Sequence, residues 1–227
     1  RQIFDDTVHV TLDFPRLVEV RYTLDGASPT TQSLRYEGPI VLNQTGQVRA
    51  KAFKPGWADS PEATGQFLRR SHRWADIRVA QPPSPKYTAK GAASLGDGVI
   101  SDFPTDNTYL GYEGQHFQAT LDLGTAQSLS KVHLHTIESF GAWVHTPRRV
   151  QVWTSPDGQH WTEQASTPQY PVPADGPQKA LWLDVPFRRS VEARFVKVRA
   201  ENWMKNPPKH PQAGKTCWVF VDEIMAE

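Results

Sequence analysis

The chain has 227 residues, 25 basic and 24 acidic side chains, and a formal net charge of +1. That length suits one large or two small domains, and interspersed charge without a basic stripe argues against nucleic acid as a partner. A single cysteine, Cys217, excludes an internal disulfide framework and a cysteine-based zinc site, and no apolar run approaches the ~20 residues of a membrane span.

Eight Trp, ten Phe and six Tyr supply core area, while 19 Pro and 15 Gly favour turns over long helices. Residues 1–71 read as a first all-β unit. Thr7 to Leu12, Val18 to Thr23 and Gln47 to Phe53 alternate, separated by turns at Asp25-Gly26, Gly38-Pro39 and Pro55-Gly56. Tyr36 and Trp57 are expected to pack on neighbouring turns. Such a unit is near the lower size limit for an independent core.

Residues 72–227 read as a second, larger unit. Strands are expected at Ala75–Val79, Phe117–Leu123, Lys131–Thr136, Arg149–Thr154, Lys179–Val185, Arg194–Arg199 and Cys217–Ile224. The run into Pro156-Asp157-Gly158, followed by Trp161, is a hairpin signal. Trp153, Trp161, Trp182 and Trp218 sit on strands or turns and are expected in the core. Cys217, inside Thr-Cys-Trp-Val-Phe-Val, reads as a buried, unreactive thiol.

Both units carry further resemblances. Tyr22 to Thr30, Tyr36-Glu37-Gly38-Pro39-Ile40, Val48 to Phe53 and Gly56-Trp57 together resemble the chitobiase/β-hexosaminidase C-terminal domain. That resemblance implies an immunoglobulin-like sandwich serving as a spacer. Leu95 to Gly98, Phe117 to Gly124, Val150 to Trp161, and Ala193 to Ala200 leading to Val221-Asp222-Glu223-Ile224 resemble the F5/8 type C, or discoidin-like, fold, which includes family 32 carbohydrate-binding modules. The implied fold is a jelly-roll β-sandwich. This order of modules, with Trp143-Val144-His145-Thr146-Pro147 and the ending Trp218 to Ile224, is similar to the tail of bacterial family 20 β-hexosaminidases. The resemblance implies a non-catalytic region of a secreted, periplasmic or cell-surface hydrolase. Because the chain opens on Arg1, its catalytic domain is expected to precede that residue as a partner on the same polypeptide.

The discoidin-like resemblance also implies a structural Ca²⁺, which wants six or more oxygen ligands. Carried over residue by residue, those are Asp97, Thr108 and Glu223, with carbonyls from Ser94, Val99 and Asp222. Here the loop between Gly98 and Asn107 is longer than the family pattern. The alternative is that Asp97 caps its own turn.

Sugar binding needs an aromatic plate and a few planar polar groups. The loops after Thr136 and after Ala200 contain them, beside Asp102 to Gly114. Trp143 and Trp203 are the stacking candidates, His145, His210, Lys215 and Glu138 the polar ones, and Tyr109 lies nearby. The ligand expected is galactose- or N-acetylhexosamine-containing glycan. The rival reading makes both units rigid spacers that bind no sugar. No catalytic motif is present: Glu138 and Glu201 are a weak carboxylate pair, and His133 and His135 lack a third zinc ligand.

Overall fold

Alternating burial sets the strands of the computed structural model, which describes residues 2–15 and 17–227. Two compact units divide between Arg70 and Ser71. In the first, strands β1 (Gln2–Phe4), β2 (Val8–Val10), β3 (Glu19–Thr23), β4 (Leu34–Arg35), β5 (Ile40–Leu42), β6 (Gly46–Phe53) and β7 (Ala63–Arg69) form two sheets. One has the order β1-β7-β6-β3-β4 and the other pairs β2 with β5. Val8, Val10, Ile40 and Leu42 face Phe4, Val48 and Phe67 in a small core.

Two details differ from expectation. Asp25-Gly26 does not close a tight hairpin: β3 pairs with β6 and, across a longer loop, with β4. Asp25 Oδ1 accepts the Ala27 N–H at 2.9 Å, and Gly26 has φ +83°, so the dipeptide turns the chain without setting the pairing. Trp57 is 70 % exposed, under Lys54 Nζ at 4.6 Å, and does not pack into its turn. Tyr36 does pack, edge-on to Phe14 at 5.7 Å, and its hydroxyl accepts the Leu12 N–H.

The second unit contains β8 (Asp76–Val79), a 3-10 turn (Gly91–Leu95), β9 (Leu110–Glu113), β10 (Phe117–Glu138), a 3-10 turn (Phe140–Ala142), β11 (Val150–Ser155), β12 (Thr162–Ser166), β13 (Lys179–Ala200) and β14 (Trp218–Ala226). The expected strand pairs Phe117–Leu123 with Lys131–Thr136, and Lys179–Val185 with Arg194–Arg199, are each one continuous 22-residue strand. β10 and β13 pair antiparallel from Phe117↔Ala200 to Glu138↔Lys179, with register breaks at Asp122/Gln127 and Leu129/Lys131. One half of this ribbon carries β11, β12 and β8; the other carries β14 and β9.

The ribbon folds back on itself, because both halves fill one core. Leu121, Val152, Val196 and Val198 pack in the same cluster as Leu134, Leu183, Val185 and Ile224. The corner follows Asp122, whose Oδ1 caps the Gly124 N–H at 2.7 Å while Gly124 adopts φ +78°. Arg194 grips both Asp122 oxygens at 2.8 Å, holding the carboxyl below the usual range.

The half-buried Trp218 packs against Tyr109, Ile137, Val144 and Phe220, whereas Trp153, Trp161 and Trp182 are half-buried and outside the core clusters. Their strands turn smaller Val and Leu side chains inward. The indoles cover outer faces, as Trp161 does beneath Lys197 Nζ at 3.9 Å and Trp182 beside His135 at 4.8 Å. At the 156–161 turn, Asp157 Oδ1 accepts the Gln159 and His160 N–H groups at 2.9 Å each, with Gly158 at φ +76°.

Leu134 is fully buried in this shared core, so Leu134→Ala is expected to cost ~2–5 kcal/mol. Leu34→Ala, at a 60 % exposed position, should stay within about 0.5 kcal/mol. Urea unfolding of both variants by circular dichroism checks the contrast.

Candidate functional site

Folding the ribbon in half brings the end of β10 beside the starts of β11 and β14 and the end of β13. Residues 139–149 and 201–217 therefore meet, and backbone bonds join them. Arg148 N–H donates to Glu201 O at 2.7 Å, Glu201 N–H to Arg149 O at 2.9 Å, and Trp218 N–H to Trp143 O at 2.9 Å.

Beneath the loops lies a buried polar lattice. His210 Nδ1 accepts the Gln212 N–H at 2.9 Å, which leaves Nε2–H to donate to Phe140 O at 2.9 Å. Asn206 Nδ2 donates to Gln212 O, so its Oδ1 accepts Nε2–H of His145 at 2.9 Å. Burial keeps His145 below the ordinary histidine range and hence neutral. Asn202 is a second hub. Its N–H donates to His116 Nδ1, its Nδ2 to Tyr112 O and Cys217 O, and its Oδ1 accepts from Met204 N–H and Cys217 Sγ.

Three of the sugar-contact expectations are corrected by this lattice. His145, His210 and Tyr109 are 1 %, 4 % and 1 % exposed. The two imidazoles bind the loops to each other from below, and Tyr109 donates its hydroxyl to Ser101 O and stacks on His135. None of the three presents a polar atom to solvent. Phe140 is buried as well.

The other candidates sit at the surface of the same loops. Trp143 and Trp203 are half-buried, and Lys215 is exposed. Trp203 Nε1–H donates to Thr146 O at 3.0 Å, and the Arg148 guanidinium stands 5.9 Å from its ring centre. Trp143 has φ +64°. A bulky side chain in the left-handed region is strained, and such strain concentrates at functional positions. Met204, on the other loop, has φ +70°, held by its N–H bond to Asn202 Oδ1. Glu138 accepts from Thr146 Oγ1 at 2.5 Å and pairs with Lys179 Nζ at 3.4 Å, so it is a partly spent acceptor.

The proposed cation ligands gather elsewhere. Gly98 N–H donates to Glu223 Oε2 at 2.8 Å, tying the Asp97 loop to β14. Leu110 pairs with Val221, and Thr108 leads into that strand two residues earlier. Thr108 Oγ1 is buried without a hydrogen-bond partner. Asp97 caps the Val99 N–H with Oδ1 and pairs with Lys90 Nζ through Oδ2, both at 2.9 Å. Ser94 is buried, its Oγ accepting the Lys90 N–H. Asp222 occupies a bulge between the His135↔Glu223 and Thr136↔Val221 pairs. Its carboxylate contacts His135 Nδ1 at 2.6 Å and the Ser101 N–H at 3.1 Å, and burial raises its pKa. Among the described residues, no three His, Cys, Asp or Glu side chains are grouped to hold a metal. His133 is engaged by Asp184 at 2.7 Å and Glu227 at 3.3 Å.

Asn202, Asn206, Thr146 and Arg148 were not singled out from the sequence. Asn202-Trp203-Met204 carried the usable signal, an Asx residue ahead of a residue that needs a left-handed cap.

Residues 2–64 match the family model of the chitobiase/beta-hexosaminidase C-terminal domain. The match spans most of the first unit. No curated protein sequence matches the chain. Among solved structures, the module CBM32-1 from a family 31 glycoside hydrolase of Clostridium perfringens is 13% identical, with a TM-score of 0.43, over 69% of this chain and 97% of its own. A chitosan-binding module of a chitosanase/glucanase from Paenibacillus sp. IK-5 is 14% identical, with a TM-score of 0.43, over 70% and 98%. A pectin-binding carbohydrate-binding module is 15% identical, with a TM-score of 0.41, over 69% and 92%.

His145 makes loop anchoring pH-dependent. Its folded pKa lies below the unfolded value of about 6.5, so its stabilising contribution is complete above that pH and is lost as pH falls below it. Thermal unfolding from pH 7.5 to 5 should show a falling Tm, and His145→Gln, which retains a donor for Asn206, should flatten the slope.

Proposed function

We propose that the second unit is a non-catalytic carbohydrate-binding module and the first a spacer. Together they would be the accessory region of a glycan-degrading, β-N-acetylhexosaminidase-like enzyme. The observation that carries the reading is Trp143 held at φ +64° on a loop platform cross-linked from below by His145, Asn206 and His210. Beneath it, His145 Nε2–H and His210 Nε2–H each have an acceptor, so the indole is preorganised and binding orders little. Trp203, pinned by Thr146 O, is the second plate, Arg148 is the exposed polar group beside it, and Lys215 is exposed on the same loop.

The ligand class is neutral glycan bearing galactose or N-acetylhexosamine. A weak module of this kind acts by effective concentration, keeping an attached hydrolase near its substrate. Such work belongs in the periplasm, at the cell surface or outside the cell. Among the described residues no helix is long and apolar enough to cross a membrane.

A structural Ca²⁺ is a second element of the proposal. The buried, unpartnered Thr108 Oγ1, two residues before Leu110 pairs with Val221, and the Asp97 loop, tied to Glu223, suit an oxygen-ligated hard cation. Lys90, now paired with Asp97, is 70% exposed along its side chain and can leave. Asp97, Thr108 and Glu223 would hold the ion, which would fasten the 97–108 loop to β14.

Titration calorimetry after a glycan array tests the first reading. Trp143→Ala and Trp203→Ala should each weaken binding by about tenfold, near 1.4 kcal/mol. Absence of sugar binding by a folded wild-type chain would leave the spacer reading in its place. For the cation, millimolar Ca²⁺ should raise Tm of the chelator-treated protein, and Asp97→Ala should remove that rise. An unchanged wild-type Tm would sink it.

A further inference from the structure

A recess of roughly 310 Å³ on the second unit is lined by Gln81, Gln115, His116, Gln118, Arg199 and Met204, among others. Unlike the recesses at the ribbon's corner and at β12, it has no carboxylate in its wall. The cleft at the ribbon's corner has two arginines, but Arg194 is paired with Asp122 and Arg78 with Asp76. The recess at the edge strand β12 includes Glu163.

The polar side chains around the first recess keep bonding capacity to spare. Arg199 lies on β13 between Gln118 of β10 and Gln151 of β11, and its guanidinium makes no hydrogen bond or ion pair among the described residues. The nearby Glu201 pairs with Arg149 at 2.9 Å and also feels the charge of Arg199 without bonding it. His116 Nδ1 accepts the Asn202 N–H at 3.0 Å, and burial with the Arg199 charge lowers its pKa. The ring is therefore neutral, with its proton on Nε2, and offers a donor. The side-chain amides of Gln81, Gln115 and Gln118 make no hydrogen bonds among the described residues. Met204 is 40 % exposed at φ +70°, pushed out by the same Asn202 that sets the His116 tautomer.

We infer that this recess is a second ligand site, for a carboxylated sugar unit within a glycan. A free guanidinium fork matches a carboxylate with two parallel N–H···O bonds. Neutral imidazole and primary amides suit hydroxyls, which both donate and accept. The thioether supplies an adaptable apolar contact for a ring face. Unlike the Trp143–Trp203 plates, this site selects for charge, and it does not depend on those plates binding anything.

The test follows the side-chain amide resonances of Gln81, Gln115 and Gln118 in the labelled 227-residue chain during titration with α-1,4-linked trigalacturonate. Neutral maltotriose and sodium acetate are run in parallel. Saturable shifts with trigalacturonate alone are expected, weakened about tenfold or more in Arg199→Met and also weakened in Arg199→Lys, which keeps the charge and loses the fork. Trp203→Ala should bind trigalacturonate as the wild type does. Circular dichroism confirms that each variant is folded. The inference is overturned by absence of shifts at millimolar trigalacturonate, by equal shifts with maltotriose or acetate, or by Arg199→Met binding unchanged. Loss of binding in Trp203→Ala would also overturn it and return the ligand to the tryptophan loops.

Discussion

Everything in the second unit depends on one constraint, that β10 and β13 belong to both halves of the sandwich. Two strands of 22 residues cannot stay flat and bury one face each, so they double over. The turn has to be specified, because a slip of one residue would exchange inner and outer faces. Asp122 does this in two ways. It caps Gly124 in the left-handed region and receives the forked Arg194 from the neighbouring strand. An Asp-Leu-Gly triplet and an Ala-Arg-Phe-Val segment, some seventy positions apart, are thus two halves of one corner.

Doubling also decides where ligands can be met. It gathers residues 139–149 and 201–217 at one end, and apart from Val144 those segments lie outside the apolar clusters. Histidine and asparagine side chains support them instead, with almost every polar atom partnered. A buried polar network of this kind is costly when half satisfied and rigid when complete. On this support the surface above holds Trp143 and Met204 in the left-handed backbone region.

Much of this architecture was legible in the sequence. Alternation located β2, β3, β6, β8, β11 and β14 to within a residue or two, though it did not mark β1, β4, β5, β7 or β9. The Asp157-Gly158 turn sits where its grammar placed it. The continuity of β10 and β13 was not legible, since polar residues at the bend interrupt the alternation that marks a strand. Nor was the inward turn of His145, His210 and Tyr109. Loop composition says that a residue is available, whereas its direction is set by contacts some sixty or more positions away, such as His145 with Asn206 and His210 with Phe140. The Arg199 recess has no motif at all. It arises because cross-strand pairing places Gln118 beside Arg199 and a distant loop adds Met204.

Cys217 closes this account in a different sense. It is the only thiol in the chain, fully buried, hydrogen-bonded to Asn202 Oδ1, and pushed up to about 12 by burial. Alkylating reagents attack the thiolate, so in the native state this sulfur is silent. Once the Asn202 hub opens, the same sulfur regains an ordinary acidity and becomes reactive. The chain therefore carries its own single-site chronometer for local opening beneath the loops, read by the rate at which an added maleimide is consumed.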